Sequence, residues 1–272
     1  MNTTSLSNFL SQQNTLEIIN ANFHSPIKKS GAKLLVEPTK GKGIDFGAIG
    51  TAYDYWIRCE IKRNSPDILS TFLGYRYCLK NYARKKIVLN ALNSHVVAFT
   101  QFFTGALTRR DSLLAACLFL AKFETEYRSG YAVDSLEVSR DNVEELSRIV
   151  DATELDRFKK EHIVLNPSFS VIGSRLLIKA DADIIVDGVI IDLKSGSKLT
   201  MKGNLRQLIG YWILNNLRDE PLEIRRLAVY YPRFKYYVDF LMSDLMSPAE
   251  EICISGFFKS SLGINIRTPQ HP

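Results

Sequence analysis

The strongest constraint on the fold is the dipeptide Asp187-Gly188, set between two runs of β-branched residues, Ile184-Ile185-Val186 and Val189-Ile190-Ile191. Asp and Gly tolerate the positive φ of a two-residue turn whose twist suits the flanking strands, so this segment predicts a β-hairpin. The turn also sets a register. Val186 then opposes Val189, Ile185 opposes Ile190, Ile184 opposes Ile191, Asp183 opposes Asp192, and Asp181 opposes Lys194. Opposed residues share a face, as do residues two apart along a strand. One face collects Ile184, Val186, Val189, Ile191 and Leu193 and belongs to a core. The other carries Asp181, Asp183, Asp192 and Lys194 together with Ile185 and Ile190.

The charged face has a plain reading as the wet side of a half-buried hairpin. Against it, Asp is disfavoured in strands, and Asp183 opposite Asp192 is a like-charge pair that needs compensation. Three carboxylates and one ammonium invite a divalent cation. Magnesium prefers hard oxygen ligands and commonly keeps one or two carboxylates, leaving other positions to water and phosphate. Asp183 and Asp192 are the expected ligands, with the Leu193 backbone carbonyl as a third oxygen. Lys194 would then hold the scissile phosphate and orient the nucleophile, with the cation stabilising the developing charge.

The rest of the chain supplies a helical frame and further strands. Up to about residue 161 the apolar spacing is helical: a helix through Leu16, Ile18 and Ile19 led by Ser7 or Ser11, one from Gly47 to Lys62, one or two from Gly74 to Gly105, and one from Thr108 to Ser129-Gly130. Thr108-Asp111 resembles a capping box, and Gly130 is a helix stop. Two more helices are expected at 142–150 and 154–161. Residues 28–45, with Lys28, Lys29, Lys33, Lys40 and Lys42, read as an exposed loop or phosphate-contacting segment around a short Leu34-Leu35-Val36 strand. After Asn166-Pro167 the period shortens to two, and the pattern becomes β-β-α-β-β-α: the hairpin, a helix at 202–217, strands at 225–231 and 236–241, and a helix opened by Ser247-Pro248. With 46% hydrophobic residues the chain can bury a sizeable core. The expected division is a mainly helical region at 1–106 packed on a core at 107–272.

Asp183 followed by Asp192-Leu193-Lys194 at the end of a hairpin resembles the PD-(D/E)XK nuclease superfamily. Gln207-Leu208-Ile209-Gly210-Tyr211 in the next helix is similar to the Q-x-x-x-Y motif of its RecB-like branch, and Gln207 and Tyr211 share one helical face. The likeness covers about half of the chain, with Ala182 standing where the name-giving proline would be. It implies an α/β (α+β) fold with a mixed central β-sheet of restriction-endonuclease-like type flanked by helices, whose core order is α-β-β-β-α-β. It also implies a site in which Asp183 and Asp192 hold Mg2+ or Mn2+, Lys194 is catalytic, and Gln207 and Tyr211 position substrate or buttress the acids. A further acidic ligand from the preceding helix would be Glu124 or Glu126. Gly50-Thr51-Ala52-Tyr53-Asp54-Tyr55 looks like an N-terminal helix pattern of defence-associated members; Tyr53 and Trp56 are expected in the core and Asp54 as a capping or hydrogen-bonding residue.

These features predict a metal-dependent nuclease acting on DNA, with RNA as the alternative polymer and a catalytically silent nucleic-acid or protein-binding module as the alternative class. No G-x-x-x-x-G-K-[ST] motif occurs, so ATP-driven or targeting functions, in defence or DNA processing, would come from a partner protein. Cys59, Cys78, Cys117 and Cys253 are scattered, which argues for reduced core thiols and against an iron–sulfur cluster. The sequence has no signal-like start and no apolar run of membrane length, so a cytoplasmic, membrane-free protein is expected. The net charge of +6 hides an acidic helical segment at 124–161, with eleven acidic and six basic residues, expected to face solvent or a partner. Arg225, Arg226, Tyr230, Tyr231, Arg233, Lys235, Tyr236 and Tyr237 are candidates to line a nucleic-acid groove, at least half of the tyrosines being expected in packing instead.

Overall fold

A computed structural model describes residues 2–24, 31–40 and 43–264, so Lys28, Lys29 and Lys42 lie outside the described residues. Asp187 and Gly188 both take positive φ, 46° and 78°, and the hairpin closes in the expected register from Val186–Val189 to Ile184–Ile191. It is the centre of a five-stranded mixed sheet. The strands are β2 (Ile163–Leu165), β5 (Ile184–Val186), β6 (Val189–Leu193), β7 (Arg226–Tyr231) and β8 (Tyr236–Leu241), in that spatial order. All neighbours are antiparallel except β6 and β7, which run parallel and are joined by helix α8 (Met201–Asn216). A second sheet sets β4 (Leu176–Lys179) between β1 (Asn2–Ser5), to which it is parallel, and the antiparallel β3 (Val171–Ile172).

Helices cover both faces of the larger sheet. Ile184, Val186 and Ile191 join one core with α3 (Phe46–Ile61), α4 (Leu73–Tyr82), α5 (Lys86–Phe103), α6 (Arg110–Ser129) and α7 (Arg140–Asp151). Ile185, Ile190, Leu227 and Val229 join the other with α8, α1 (Leu6–Ser11), α2 (Gln13–Ala21) and α10 (Pro248–Leu262), the short α9 (Met242–Leu245) preceding α10. The face that carries the acids is therefore a core face, not a wet one. Local chemistry explains several boundaries. Asp45 accepts the Ala48 N–H at 2.9 Å to open α3, Gly130 closes α6 at φ 75°, and Ser247 with Glu250 forms a capping box at α10.

Several expectations fail for identifiable reasons. The first twenty residues form β1 and two helices broken at Gln12, with Ser5 rather than Ser7 or Ser11 as the cap of α1. Leu34–Val36 is not a strand; the Leu35 and Val36 N–H groups donate to the Arg233 carbonyl at 2.8 and 3.1 Å. The Thr108–Asp111 box does not form, since Arg109 stands at the N-cap without a side-chain bond. Residues 154–161 make a single 3-10 turn, Leu155–Arg157, because Leu155 and Phe158 supply only one turn of apolar spacing among charged neighbours. Asp181 opposes Ser168, not Lys194: the Ala182 N–H donates to the Pro167 carbonyl at 3.0 Å and draws this stretch off β6. Cys59, Cys78 and Cys117 are buried free thiols, whereas Cys253 is exposed. Among the described residues no helix is long and apolar enough to cross a membrane.

Candidate functional site

The ends of β5 and β6, where the hairpin ladder stops, bring together the residues that the sequence singles out. Asp192 and Lys194 follow Ile190 at period two and so point to the α8 side of the sheet. The Asp183 Oδ2 accepts the Leu193 N–H at 2.7 Å, which fixes this carboxylate across the end of the ladder. Lys194 Nζ lies 2.8 Å from Asp192 Oδ1 and donates to Gln207 Oε1 at 3.4 Å. Gln207 Nε2 donates to the Tyr211 hydroxyl at 2.8 Å, and that hydroxyl donates to the Asp181 carbonyl at 2.8 Å. An unbroken polar chain thus runs from β6 through the helical Gln and Tyr to the strand entry that precedes Asp183. The Asp181 side chain takes the exposed position expected of a solvated acid.

Burial gives this chain its electrostatic character. The Asp192 side chain is 4% exposed, and burial pushes its carboxyl up to about 7, with the Lys194 ammonium opposing and the Asp183 charge adding to the rise. Burial draws the Lys194 ammonium downward, but the Asp192 and Asp183 carboxylates outweigh it, so its pKa lies above the usual value. The Tyr211 hydroxyl is raised by burial and by the same two acids, so it stays a neutral donor. The second oxygen of Asp192, Oδ2, is buried and has no hydrogen-bond partner. A buried carboxylate oxygen without a donor is costly. A hard cation beside Asp183 would satisfy it, so the donor set fits magnesium or manganese with two protein carboxylates. Among the described residues no three His, Cys, Asp or Glu side chains are grouped to hold a cation unaided.

Glu124 and Glu126 are placed differently. Glu124 is buried on α6, its Oε2 accepting the Tyr55 hydroxyl and its Oε1 accepting Arg128 Nε at 2.9 Å. Both oxygens therefore already have protein donors. Glu126 accepts the Tyr77 and Tyr82 hydroxyls at 3.2 and 2.7 Å and ties α4 to α6. The acidic segment does not wholly face solvent, since Glu124 and Glu145 are buried. Of the residues named for a nucleic-acid groove, two of the four tyrosines are packed, as expected, while Arg225 and Lys235 are exposed and Tyr236 and Tyr237 are half-buried. Strand β7 is interior and covered on both faces, so Tyr230 and Tyr231 are both fully buried. Arg233 is buried against Glu145, Arg226 pairs with Asp239, and Arg225 pairs with Glu223.

The sequence reading left out a second shoulder of the site. Helix α3 runs against the chain just past Lys194: a Cβ on Gly50 would stand 3.4 Å from Ser195 Oγ. Tyr53 and Trp56 are core residues and Asp54 is bonded to Arg58, as expected. Burial first, then the charges of Asp183 and Glu124, push the Asp54 carboxyl up to about 7 against the opposing pull of Arg58. Asp54 thus shares the field of the hairpin acids. The only sequence signal for it was the Gly50–Tyr55 pattern. Comparison with protein-family models, curated proteins and solved structures returns no match.

Proposed function

We propose that this chain is a divalent-cation-dependent nuclease of PD-(D/E)XK type that hydrolyses phosphodiester bonds, with DNA as its substrate polymer, on a restriction-endonuclease-like sheet. One observation carries the reading: Asp192 gives one oxygen to Lys194 while the other is buried without a donor beside Asp183. Once β3 and β4 of the second sheet are set aside, the order α7, β2, β5, β6, α8 and β7 supports it, because it matches the α-β-β-β-α-β order of that superfamily.

Asp183, Asp192 and the Leu193 carbonyl would hold the cation, and Glu124 stands outside this set because its oxygens serve Tyr55 and Arg128. When bound, a magnesium or manganese ion supplies charge stabilisation at the phosphate and acidifies water. The protein groups have separate tasks. The Lys194 ammonium, on a side chain that is 29% exposed, offers positive charge to the scissile phosphate. Gln207 restrains that ammonium through Oε1 and is itself oriented by Tyr211, whose hydroxyl is fixed on the Asp181 carbonyl. Targeting or ATP-driven movement, as in a defence or DNA-processing system, would come from a separate protein.

The decisive experiment incubates wild type and Lys194→Ala with single-stranded DNA, duplex DNA and RNA, with magnesium or manganese and with chelator. Cleavage of DNA by wild type alone, abolished by chelator, is the expected result. Equal cleavage by both proteins, or cleavage that survives chelator, would sink the mechanism. Binding without cleavage by wild type would favour the silent module.

A further inference from the structure

The Asp54–Arg58 pair on α3 is not used by the chemistry described above, yet it reaches the hairpin through one residue. Arg58 is nearly buried, with 7% of its side chain exposed. Its Nε donates to Asp54 Oδ1 at 3.0 Å and its Nη2 to Asp54 Oδ2, a two-pronged grip that fixes the plane of the guanidinium. The same Nη2 donates to Asn166 Oδ1 at 3.1 Å. Asn166 ends β2 in the left-handed region at φ 49°, a conformation that Asn tolerates better than most residues. From there its N–H donates to the Asp183 carbonyl at 2.9 Å.

Asp183 is therefore held at two points. Its side chain is fixed by the Leu193 N–H and its backbone by Asn166. Asn166 in turn depends on Arg58 for its side-chain orientation, and Arg58 on Asp54. A guanidinium is costly to bury without partners, and here the Nε and Nη2 groups make three hydrogen bonds. We infer that Arg58, acting through Asn166, is a positioning residue that sets the place of Asp183 in the site, with Asp54 as its anchor. The inference rests on the nuclease reading, in which Asp183 is a cation ligand.

The link can be cut without disturbing the fold. In Asn166→Gly the left-handed backbone and its N–H to Asp183 are retained, while the acceptor for Arg58 is removed. Asn166→Asp keeps an acceptor at the same place. Manganese affinity, measured by titration calorimetry without substrate, is compared with single-turnover cleavage and with thermal unfolding for wild type, Asn166→Gly, Asn166→Asp and Arg58→Lys. Asn166→Gly and Arg58→Lys are expected to weaken manganese binding and the single-turnover rate by about tenfold or more, with cooperative unfolding retained at a lowered temperature. Asn166→Asp should recover most of both losses. If wild type binds manganese and cleaves but Asn166→Gly matches it in both measurements, the positioning role is overturned and the nuclease reading stands. If wild type neither binds manganese nor cleaves, both are overturned together.

Discussion

The Lys194 ammonium is shared between the Asp192 carboxylate on β6, at 2.8 Å, and the Gln207 amide on α8, at 3.4 Å. One cationic tip therefore couples the sheet to the helix that crosses it. Lys194→Met would remove both contacts and leave Asp192 without a side-chain partner among the described residues. Single-turnover cleavage should fall by about 10²- to 10⁴-fold, the range for loss of a positioned proton-transfer or charge-stabilising group. A gel-based cleavage assay at saturating magnesium measures it; a loss of less than threefold would remove Lys194 from the chemistry.

A pH dependence of stability follows from Asp192 and Asp54. Both carboxyls lie near 7 in the fold against an ordinary value of 3.8, so folding takes up protons between these limits. Their neutral forms favour the fold fully below the lower value, and that contribution is lost as pH rises through about 7. The cation-free protein should accordingly melt at a higher temperature at pH 5.5 than at pH 8. Asp192→Asn should narrow this gap by an amount on the order of a few kcal/mol. Magnesium added at pH 8 should restore stability by binding the folded state. Melting curves in chelator that rise from pH 5.5 to pH 8 would contradict the assignment.

Tyr211→Phe deletes one hydroxyl that serves two partners. It would take a partner from the Gln207 amide and the Asp181 carbonyl in a part-buried setting. The expected cost is about 1–3 kcal/mol in denaturant titrations. Because Gln207 then loses its orientation, kcat should fall while KM stays near wild type.

Gly74→Ala tests the helical layer independently of the site. A Cβ there would stand 2.0 Å from the Leu120 carbonyl oxygen, where α4 crosses α6 backbone to backbone. No side-chain movement relieves such a clash, so destabilisation of about 3 kcal/mol or more is expected. Urea unfolding monitored by circular dichroism measures it, and a wild-type midpoint would mean that the two helices are set further apart.

Arg233 and Glu145 form a buried ion pair that also binds the Ser195 and Val36 carbonyls through the guanidinium and Thr39 through the carboxylate. Arg233→Met should cost about 3–5 kcal/mol by leaving buried Glu145 with only Thr39 and the more distant Arg148, at 3.7 Å, and Arg233→Met/Glu145→Leu should recover a large part of it. The double-mutant cycle is read by thermal unfolding.

The hairpin register, the helix Met201–Asn216 and the strand Tyr236–Leu241 were legible from local pattern, because turn chemistry and apolar periodicity act over a few residues. That the acidic face is not fully exposed was legible from Ile185 and Ile190 on it; what covers them was not, since α8 and α10 return from distant sequence to do so. The packing of Tyr230 and Tyr231 has a related reason: β7 lies between β6 and β8, and an interior strand buries both of its alternating sides. Asp183, Asp192 and Lys194 were singled out by register within one hairpin, and Gln207 and Tyr211 by the likeness of their helix to a family motif. Asp54, Arg58 and Asn166 reach Asp183 from distant sequence, and only the three-dimensional pairing of Arg58 with Asn166 joins them to it.

The parallel pairing of β1 with β4, Asn2 beside Leu176 and Ser5 beside Lys179, has a consequence for biosynthesis. During translation β1 leaves the ribosome long before the strand it must join, and α1 likewise waits for α8 and α10. These residues are therefore made well before their partners and are among the last to find their place, so their apolar side chains, Leu6, Phe9, Leu10 and Ile19, must be kept from straying while the helical layer forms. A nascent chain halted before residue 176 should leave that segment open to protease, and its protection would mark the moment at which the second sheet closes.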